Sequence, residues 1–349
     1  MAQTILVTGN LGYVGSVLVP YLKSRGHKVI GYDTGYFEES LTTRETLVSA
    51  DKQIHKDIRD IELSDLEGAD AIVHLAALSN DPLGELYPGL TEDVNLGGTL
   101  RIAQLAKSKA IKRFVYASSQ SMYGVSSTDA ELDEDLSEKH PITAYARTKW
   151  EAELALKKMD SKDFQTVCFR PSTVFGASPR LRCDIVFNNL VACAYTTNKI
   201  EVKSDGTPWR PVVHVLDVCA AFYAGLTADE KLVAGRSFNV GIPNGNFTVR
   251  QLAEAAQKSV QGSSLVFTGE HGKDSRTYRV SFSRILNELQ EYFRPSWTLD
   301  RGGAELVELF KKFSFGEEHF RGRTCNRLAQ LKYLIENDKV DQKLHWTKK

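Results

Sequence analysis

Tyr145-Ala146-Arg147-Thr148-Lys149 sets a phenol and an ammonium four residues apart. On a helix these two side chains share one face. An ammonium beside a phenol favours the phenolate, which tunes the pair for proton exchange near neutral pH. By itself such a spacing also describes an exposed tyrosine and lysine on any helix. A second segment raises it: Tyr116-Ala117-Ser118-Ser119-Gln120-Ser121-Met122-Tyr123-Gly124 follows an apolar run. Its hydroxyls would stand at the C-terminal end of a strand, the edge where open α/β sheets bind ligands. A hydroxyl there can hydrogen-bond the same oxygen whose proton Tyr145 moves.

A third segment, Thr8-Gly9-Asn10-Leu11-Gly12-Tyr13-Val14-Gly15, lies between an apolar strand and a helical pattern. Glycines at 9, 12 and 15 permit a tight turn, close approach of a pyrophosphate and close helix–sheet packing. The phosphates would then meet the free N–H groups of a helix N-terminus. A second strand ends at Tyr32-Asp33, about 20 residues on, where an acid can hold the adenosine ribose hydroxyls. The next residues, Thr34-Gly35-Tyr36, supply no Arg or Lys for a 2′-phosphate, so the expected cofactor is NAD rather than NADP. A turn-starting aspartate is the plainer reading of Asp33, and the glycine turn upstream outweighs it.

These groups need a scaffold, and the pattern around them supplies one. Apolar runs at Ile5–Thr8, Lys28–Gly31, Ala71–Leu75, Phe114–Ala117 and Thr166–Phe169 alternate with helical patterns, clearest at Val14–Lys23, Leu96–Ser108 and Tyr145–Met159. Strand–helix alternation with nearly all-apolar strands predicts α/β architecture, a Rossmann-type doubly wound parallel sheet. After about Pro171 the texture changes to a loop-rich stretch, then helices, which predicts a smaller, mainly helical C-terminal substrate domain. The expected division is 1–172 for the NAD-binding domain, completed by about 213–241. The substrate part takes 173–212 and 242–349, with the HVLDV segment and the strand near Asn239 returning to the cofactor sheet.

Composition sets the outer bounds. The chain has 349 residues, 44 Lys+Arg against 44 Asp+Glu, and 42% hydrophobic residues. Zero net charge removes the footprint of a dedicated nucleic-acid binder. The basic excess in Arg321–Lys349 reads as a solvated face. Five cysteines without a CxxC argue against a disulfide framework or a metal site and for a reducing compartment. No apolar run has membrane-spanning length. The expectation is a soluble, cytoplasmic protein.

Taken together, the motifs resemble the extended short-chain dehydrogenase/reductase superfamily, in its nucleotide-sugar epimerase/dehydratase branch. The matching pieces are TGNLGYVG, DIRD at Asp57–Asp60, HLAA at His74–Ala77, VNLGGT at Val94–Thr99, SSQSMYG, YARTK, RPSTVFG and WRPVVHVLD at Trp209–Asp217. The likeness runs from Ile5 to about Gly241 and more loosely onward. It implies that Tyr13 and Val14 join the glycines at the cofactor, with Asp57 and Ile58 flanking the adenine. Leu75, Ala76, Ala77 and Pro171 line the cofactor cleft. Ser119 falls at the catalytic Ser/Thr position, Tyr145 is the acid/base, and Lys149 holds the nicotinamide ribose. Ser79, Gln120, Thr173, Asn189, Arg210 and Arg276 are the candidate substrate contacts. Thr173 stands where relatives often carry asparagine, and Arg210 suits a diphosphate clamp. Asn95 and His214 read as structural residues, and Trp209 as either a base stack or an interface filler. The likeness also implies a homodimer built from the helices around 96–108 and 145–159. Ala103, Ala106, Ala152 and Ala155 there suit close helix approach between subunits or packing within one.

Members of this branch share a first step, hydride exchange at a sugar carbon, and differ in the later ones. Dehydratases and decarboxylases of the family add an Asp-Glu or Ser-Glu pair just after the catalytic Ser/Thr. Here Gln120 and Ser121 hold those places, and neither takes up a proton at neutral pH. The family's epimerase-reductases use a cysteine in this loop, and none is present. Two enzymatic readings stay open: an NAD-dependent 4-epimerase of a nucleotide-diphosphate sugar, acting by transient oxidation at C4, and a single-step reductase or dehydrogenase with exchangeable cofactor. A third, a non-catalytic dinucleotide-binding protein, would be expected to have lost Tyr145 or Lys149.

Overall fold

Short runs of β-branched and aromatic residues fold into twelve strands in the computed structural model, which describes residues 2–42, 47–79, 87–125, 130–270 and 277–347. In chain order they are β1 (Thr4–Thr8), β2 (Lys28–Asp33), β3 (Lys52–His55), β4 (Ala71–His74), β5 (Arg113–Ala117), β6 (Gln165–Pro171), β7 (Thr173–Phe175), β8 (Lys199–Val202), β9 (Trp209–His214), β10 (Arg236–Val240), β11 (Asn246–Thr248) and β12 (Ser264–Phe267). Seven of them form one sheet in the order β10-β6-β5-β4-β1-β2-β3, with every pair parallel. The chain runs outward from β1 to β3, then returns to the other side of β1 as β4. Strand direction of travel therefore reverses between β1 and β4, and that switch point opens a crevice at the carboxyl ends of the strands.

Alternation along the strands divides the core. Ile5, Val7, Val73, Val115, Val167 and Phe169 face α1 (Gly15–Lys23) and a later helix, Val215–Thr227. Leu6, Ile72, Phe114, Tyr116 and Cys168 face α2 (Gly98–Ser108) and α3 (Ala144–Met159). Period-2 side-chain alternation puts these sets on opposite faces, as a sheet covered on both sides requires. Ala103, Ala106 and Ala152 are fully buried in this second layer, so their small size is used within one chain.

A third core gathers Phe175 of β7 with Phe187, Val191, Leu252, Leu306 and Phe310 from α4 (Val186–Thr197), α6 (Val249–Ser259) and α7 (Leu299–Phe313), with α5 being Val215–Thr227. Two features differ from the sequence reading. β10, near Asn239, joins the large sheet beside β6, but β9 of the HVLDV region pairs instead with β7 and β11 in a small separate sheet; only the following helix, α5, packs on the large sheet. The C-terminal helix α8 (Arg327–Glu336) also departs from the substrate side. Its Leu331 and Leu334, with Val340 and Leu344, are buried in the layer that covers β1 and β2. Among the described residues, no helix is long and apolar enough to cross a membrane.

Candidate active site

The crevice at the switch point is a cleft of about 1160 Å³. That exceeds the roughly 300–1,000 Å³ of a usual single-ligand site and leaves room for two extended ligands end to end. One wall is the turn after β1. Gly9 has φ +72°, and a Cβ on it would lie 2.8 Å from the Ala76 nitrogen, so the β1 and β4 ends approach too closely for any side chain. A Cβ on Gly15 would stand 2.2 Å from the Gly9 oxygen. The turn is closed by the Gly12 N–H donating to the Gly9 carbonyl at 3.0 Å, and α1 starts with Ser16 N–H donating to Gly12 at 3.1 Å. The result is a bare backbone cradle at a helix N-terminus, a fit for a dinucleotide diphosphate.

Asp33 ends β2 at the same wall. Its carboxylate accepts from the backbone N–H groups of Leu11 (3.0 Å) and Gly35 (2.8 Å). Burial raises its pKa, against the opposing pull of those two N–H groups. The aspartate thus fixes the glycine turn as well as facing the cleft. Asp57 and Ile58 line the cleft one strand further out. Burial pushes the Asp57 carboxyl up, but Arg59, paired at 2.6 Å, holds it below its ordinary value. Leu75, Ala76, Ala77, Val14 and Pro171 line the cleft too. Tyr13 does so with its ring, while its hydroxyl donates to the Gly176 carbonyl at 2.8 Å and accepts from Asn188. That ties the glycine turn to the loop after β7, and burial drives its phenol well up.

Opposite lie Tyr145, Lys149 and Ser119. α3 begins where the Thr143 hydroxyl accepts from Ala146 N–H at 3.1 Å, a standard N-cap. This start puts Tyr145 in the first turn and Lys149 one turn on, with the Lys149 Nζ 5.9 Å from the Tyr145 ring centre. Lys149 is 3% exposed and donates to the Ala117 carbonyl at the end of β5, at 2.7 Å. Burial brings its pKa down to about 7. Ser119 faces the same cleft, its Oγ accepting from the backbone N–H and the hydroxyl of Ser121. Just beneath, Ser118 donates to Glu153, which pairs with a fully buried Arg170. Burial opposes the charge on Glu153, but Arg170 holds its pKa down to about 2. Asn95, in a π-helical turn at Asp93–Gly97, bonds both backbone groups of Leu78 and reaches Thr148 on α3; such turns often mark functional sites.

The sugar-side candidates differ in how committed they already are. Ser79, Thr173, Asn189 and Arg210 line the cleft. Asn189 donates to the Cys183 carbonyl at 2.8 Å, and Arg210 to that of Trp209. Gln120 lines it too, but its amide group is used by Arg170 and Val240 carbonyls and by Ser172. Its part is to lock the ends of β6 and β10 together rather than to reach out. Arg276 lies outside the described residues. Asn188 is fully buried, bonded to Gly176, Tyr13 and Arg182, and His214 is a core residue stacked 3.7 Å from Trp297 and paired with Glu305.

Two cleft arginines escaped sequence reasoning. Arg182, after β7, donates to Ser79 at 3.1 Å and forms a two-point pair with Asp184 at 2.8 and 3.1 Å. Burial works against its charge, but Asp184 raises its pKa overall. The other is Arg327, from the basic C-terminal stretch that read as a solvated face; it is 4% exposed and lines the cleft. An arginine followed two residues later by an acid was the available signal for the first. For the second there was none.

A parallel sheet with a glycine cradle, an acid at the end of the second strand and a Tyr–Lys helix around one cleft defines a dinucleotide-dependent α/β enzyme. The chain belongs to the NAD-dependent epimerase/dehydratase family, whose model matches residues 5–241. It is 27% identical over 293 residues to a rice UDP-glucose 4-epimerase, covering 74% of this chain and 76% of that enzyme. It is 29% identical over 262 residues to human dTDP-D-glucose 4,6-dehydratase, covering 72% and 73%. A Thermotoga maritima UDP-glucose 4-epimerase solved with UDP-glucose shares the fold, with a TM-score of 0.77 at 22% identity over 89% of this chain and all of that one. The cofactor is NAD, and the protein is an enzyme of the nucleotide-sugar epimerase/dehydratase kind.

Proposed function

We propose that this protein is a nucleotide-sugar 4-epimerase working with a retained NAD. The observation that carries the choice is the loop after Ser119. Elimination needs a second proton carrier there, and the places hold Gln120, committed to backbone, and Ser121, bonded to Ser119. Epimerisation needs one group only, since the proton taken from a sugar hydroxyl goes back to the same oxygen. Bound NAD supplies reversible hydride exchange at the sugar carbon.

Tyr145 takes the C4 hydroxyl proton and returns it, with Ser119 hydrogen-bonded to the same oxygen. Lys149, buried and titrating near neutrality, carries its charge when the phenolate forms beside it. Gly9, Gly12 and Gly15 hold the cofactor diphosphate, Asp33 its adenosine ribose, and Asp57 and Ile58 its adenine. Arg210 clamps the diphosphate of the sugar nucleotide, while Ser79, Thr173 and Asn189 face the sugar. Arg182 joins them from its pair with Asp184.

The test is turnover without added cofactor. Purified protein is denatured to measure released NAD(H), and fresh protein is incubated with a panel of nucleotide-diphosphate sugars. An isomer of unchanged mass is expected. Loss of water would overturn the reading in favour of a dehydratase, and turnover only with stoichiometric nicotinamide cofactor in favour of a reductase or dehydrogenase. No turnover by folded, NAD-loaded protein across the panel would leave the non-catalytic reading.

A further inference from the structure

The end of the chain folds back over the adenosine half of the cleft. Gln330 donates to the Tyr36 carbonyl at 2.9 Å, and the Tyr36 hydroxyl donates to the Leu344 carbonyl. Arg59, while paired with Asp57, donates to the Lys343 carbonyl at 2.8 Å, and the Trp346 indole donates to Thr34 at 2.7 Å. Thr34 and Tyr36 directly follow Asp33, and Asp57 follows β3. The tail is therefore fastened to the same two loops that form the adenosine subsite, and Leu328, Leu331 and Leu344 line the cleft there.

Arg327 opens α8 at this wall. One guanidinium nitrogen, Nη2, donates to the Arg180 carbonyl at 2.7 Å, and the group lies 4.5 Å over the Phe37 ring. The other, Nη1, is buried and has no hydrogen-bond partner among the described residues. Arg180, 1% exposed behind it, also has an Nη1 without one. Burial, with Arg182 adding like-charge repulsion, brings the Arg327 pKa down to about 10. A buried donor left unmade costs on the order of 1–3 kcal/mol, more when charged. Among the described residues, Arg182 is the one of these three guanidiniums with a two-point carboxylate pair, and Arg180 and Arg327 each keep a buried Nη1 without a hydrogen-bond acceptor. The group that fits is a diphosphate, whose oxygens offer two charges and paired acceptors to arginine's planar fork.

We propose that Arg327 binds the diphosphate of the dinucleotide from the face opposite the glycine turn, and that the tail through Trp346 walls in its adenosine, so the cofactor leaves only when the tail lifts. Retention of NAD supports the epimerase reading, but the binding claim needs no turnover. An inactive protein that holds ADP through Arg327 would sink the reaction and spare this proposal.

The experiment uses the full chain stripped of cofactor and titrates adenosine, ADP, NAD and UDP into wild type and Arg327→Gln. The expected result is at least a tenfold loss for ADP and NAD, with adenosine and UDP unchanged. Unchanged ADP affinity would overturn the proposal, as would an equal loss for adenosine, which marks a packing role. A loss for UDP with ADP spared would assign Arg327 to the sugar nucleotide instead, also overturning it. A second arm covers a variant that does not fold: NAD release is timed in wild type and Trp346→Ala, where severalfold faster release is expected. Equal release rates would refute the wall.

Discussion

The two ends of the cleft are built from different material. At the glycine turn the cleft wall is bare backbone, and what matters there is the absence of atoms. Gly9 and Gly15 leave spaces in which a Cβ would overlap neighbouring main chain. At the sugar end the surface is side chains, and nearly all are already paired: Arg182 with Asp184, Ser119 with Ser121, Asn189 with Cys183. A missing atom has one reading, because only glycine meets the requirement. A polar side chain has many, because its partners are chosen by the fold. A glycine cradle is general to dinucleotides, and on the proposed function the side-chain end is where one sugar would be told from another.

If the ends are separable, each can be broken alone. Tyr145→Phe removes only the hydroxyl proposed to carry the proton at the sugar end. We expect kcat to fall about 10²–10⁴-fold while the NAD content of the purified protein stays at the wild-type level. Full activity in that variant would refute the mechanism, and loss of NAD along with activity would show that the ends are not independent. Gly15→Ala attacks the backbone end. The new methyl would sit 2.2 Å from the Gly9 oxygen and 2.6 Å from the Asn10 Cα, main-chain atoms that cannot swing aside. Overpacking of this kind costs about 1–3 kcal/mol, so NAD affinity should fall roughly 10–100-fold. At saturating NAD, kcat should be near normal. An NAD titration and a kcat measurement on the saturated variant decide it, and unaltered affinity would mean the cradle is not where the diphosphate lies.

Legibility followed the same divide. β1, β4, β5 and β6 were visible because their residues are nearly all apolar, buried on both faces and punctuated by glycine or polar turns. β3 was not: its Lys52-Gln53-Ile54-His55 forms the half-exposed edge of the sheet and has no apolar run. The three-residue strands β7 and β11 are too short to show a period, and β9 looked like a strand of the main sheet because nothing in its own residues names a partner. Arg182 resembles any loop arginine until Asp184 and Ser79 meet it. Arg327 sits in a basic, locally solvent-like stretch and becomes buried only because α8 returns to Phe37, a contact nearly 300 residues distant along the chain. Local pattern encodes which face is apolar; it does not encode which distant loop a helix end will cover.

The smallest of these effects tests what connects the two ends. His74, at the end of β4, is fully buried. One ring nitrogen bonds the Thr8 hydroxyl at 2.7 Å and the other the Thr99 hydroxyl at 2.9 Å. Thr8 immediately precedes Gly9, and its hydroxyl also accepts from Ala76 N–H at 3.2 Å, so this histidine pins the glycine turn to β4. Burial, with the Lys149 charge nearby, lowers its pKa to about 3. In the unfolded chain an ordinary histidine takes up a proton as pH falls below about 6.5, whereas the folded ring stays neutral until about 3. The unfolded state therefore binds more protons across that window, and stability is lost progressively as pH falls from 6.5 toward 3, by up to about 1.4 kcal/mol per pH unit. Carboxylates add their own losses below about pH 5, so the informative interval is 6.5 to 5.5. Denaturant unfolding of the cofactor-free protein should show about 1 kcal/mol less stability at pH 5.5 than at 6.5. In His74→Gln, which keeps a donor and an acceptor but cannot titrate, most of that difference should vanish, leaving the smaller share of His27, whose pKa burial also lowers. An identical slope in both proteins would mean that His74 does not control the acid response. A slope carried by His74 would make the threonine–histidine link the joint through which acid reaches the backbone end before the side-chain end.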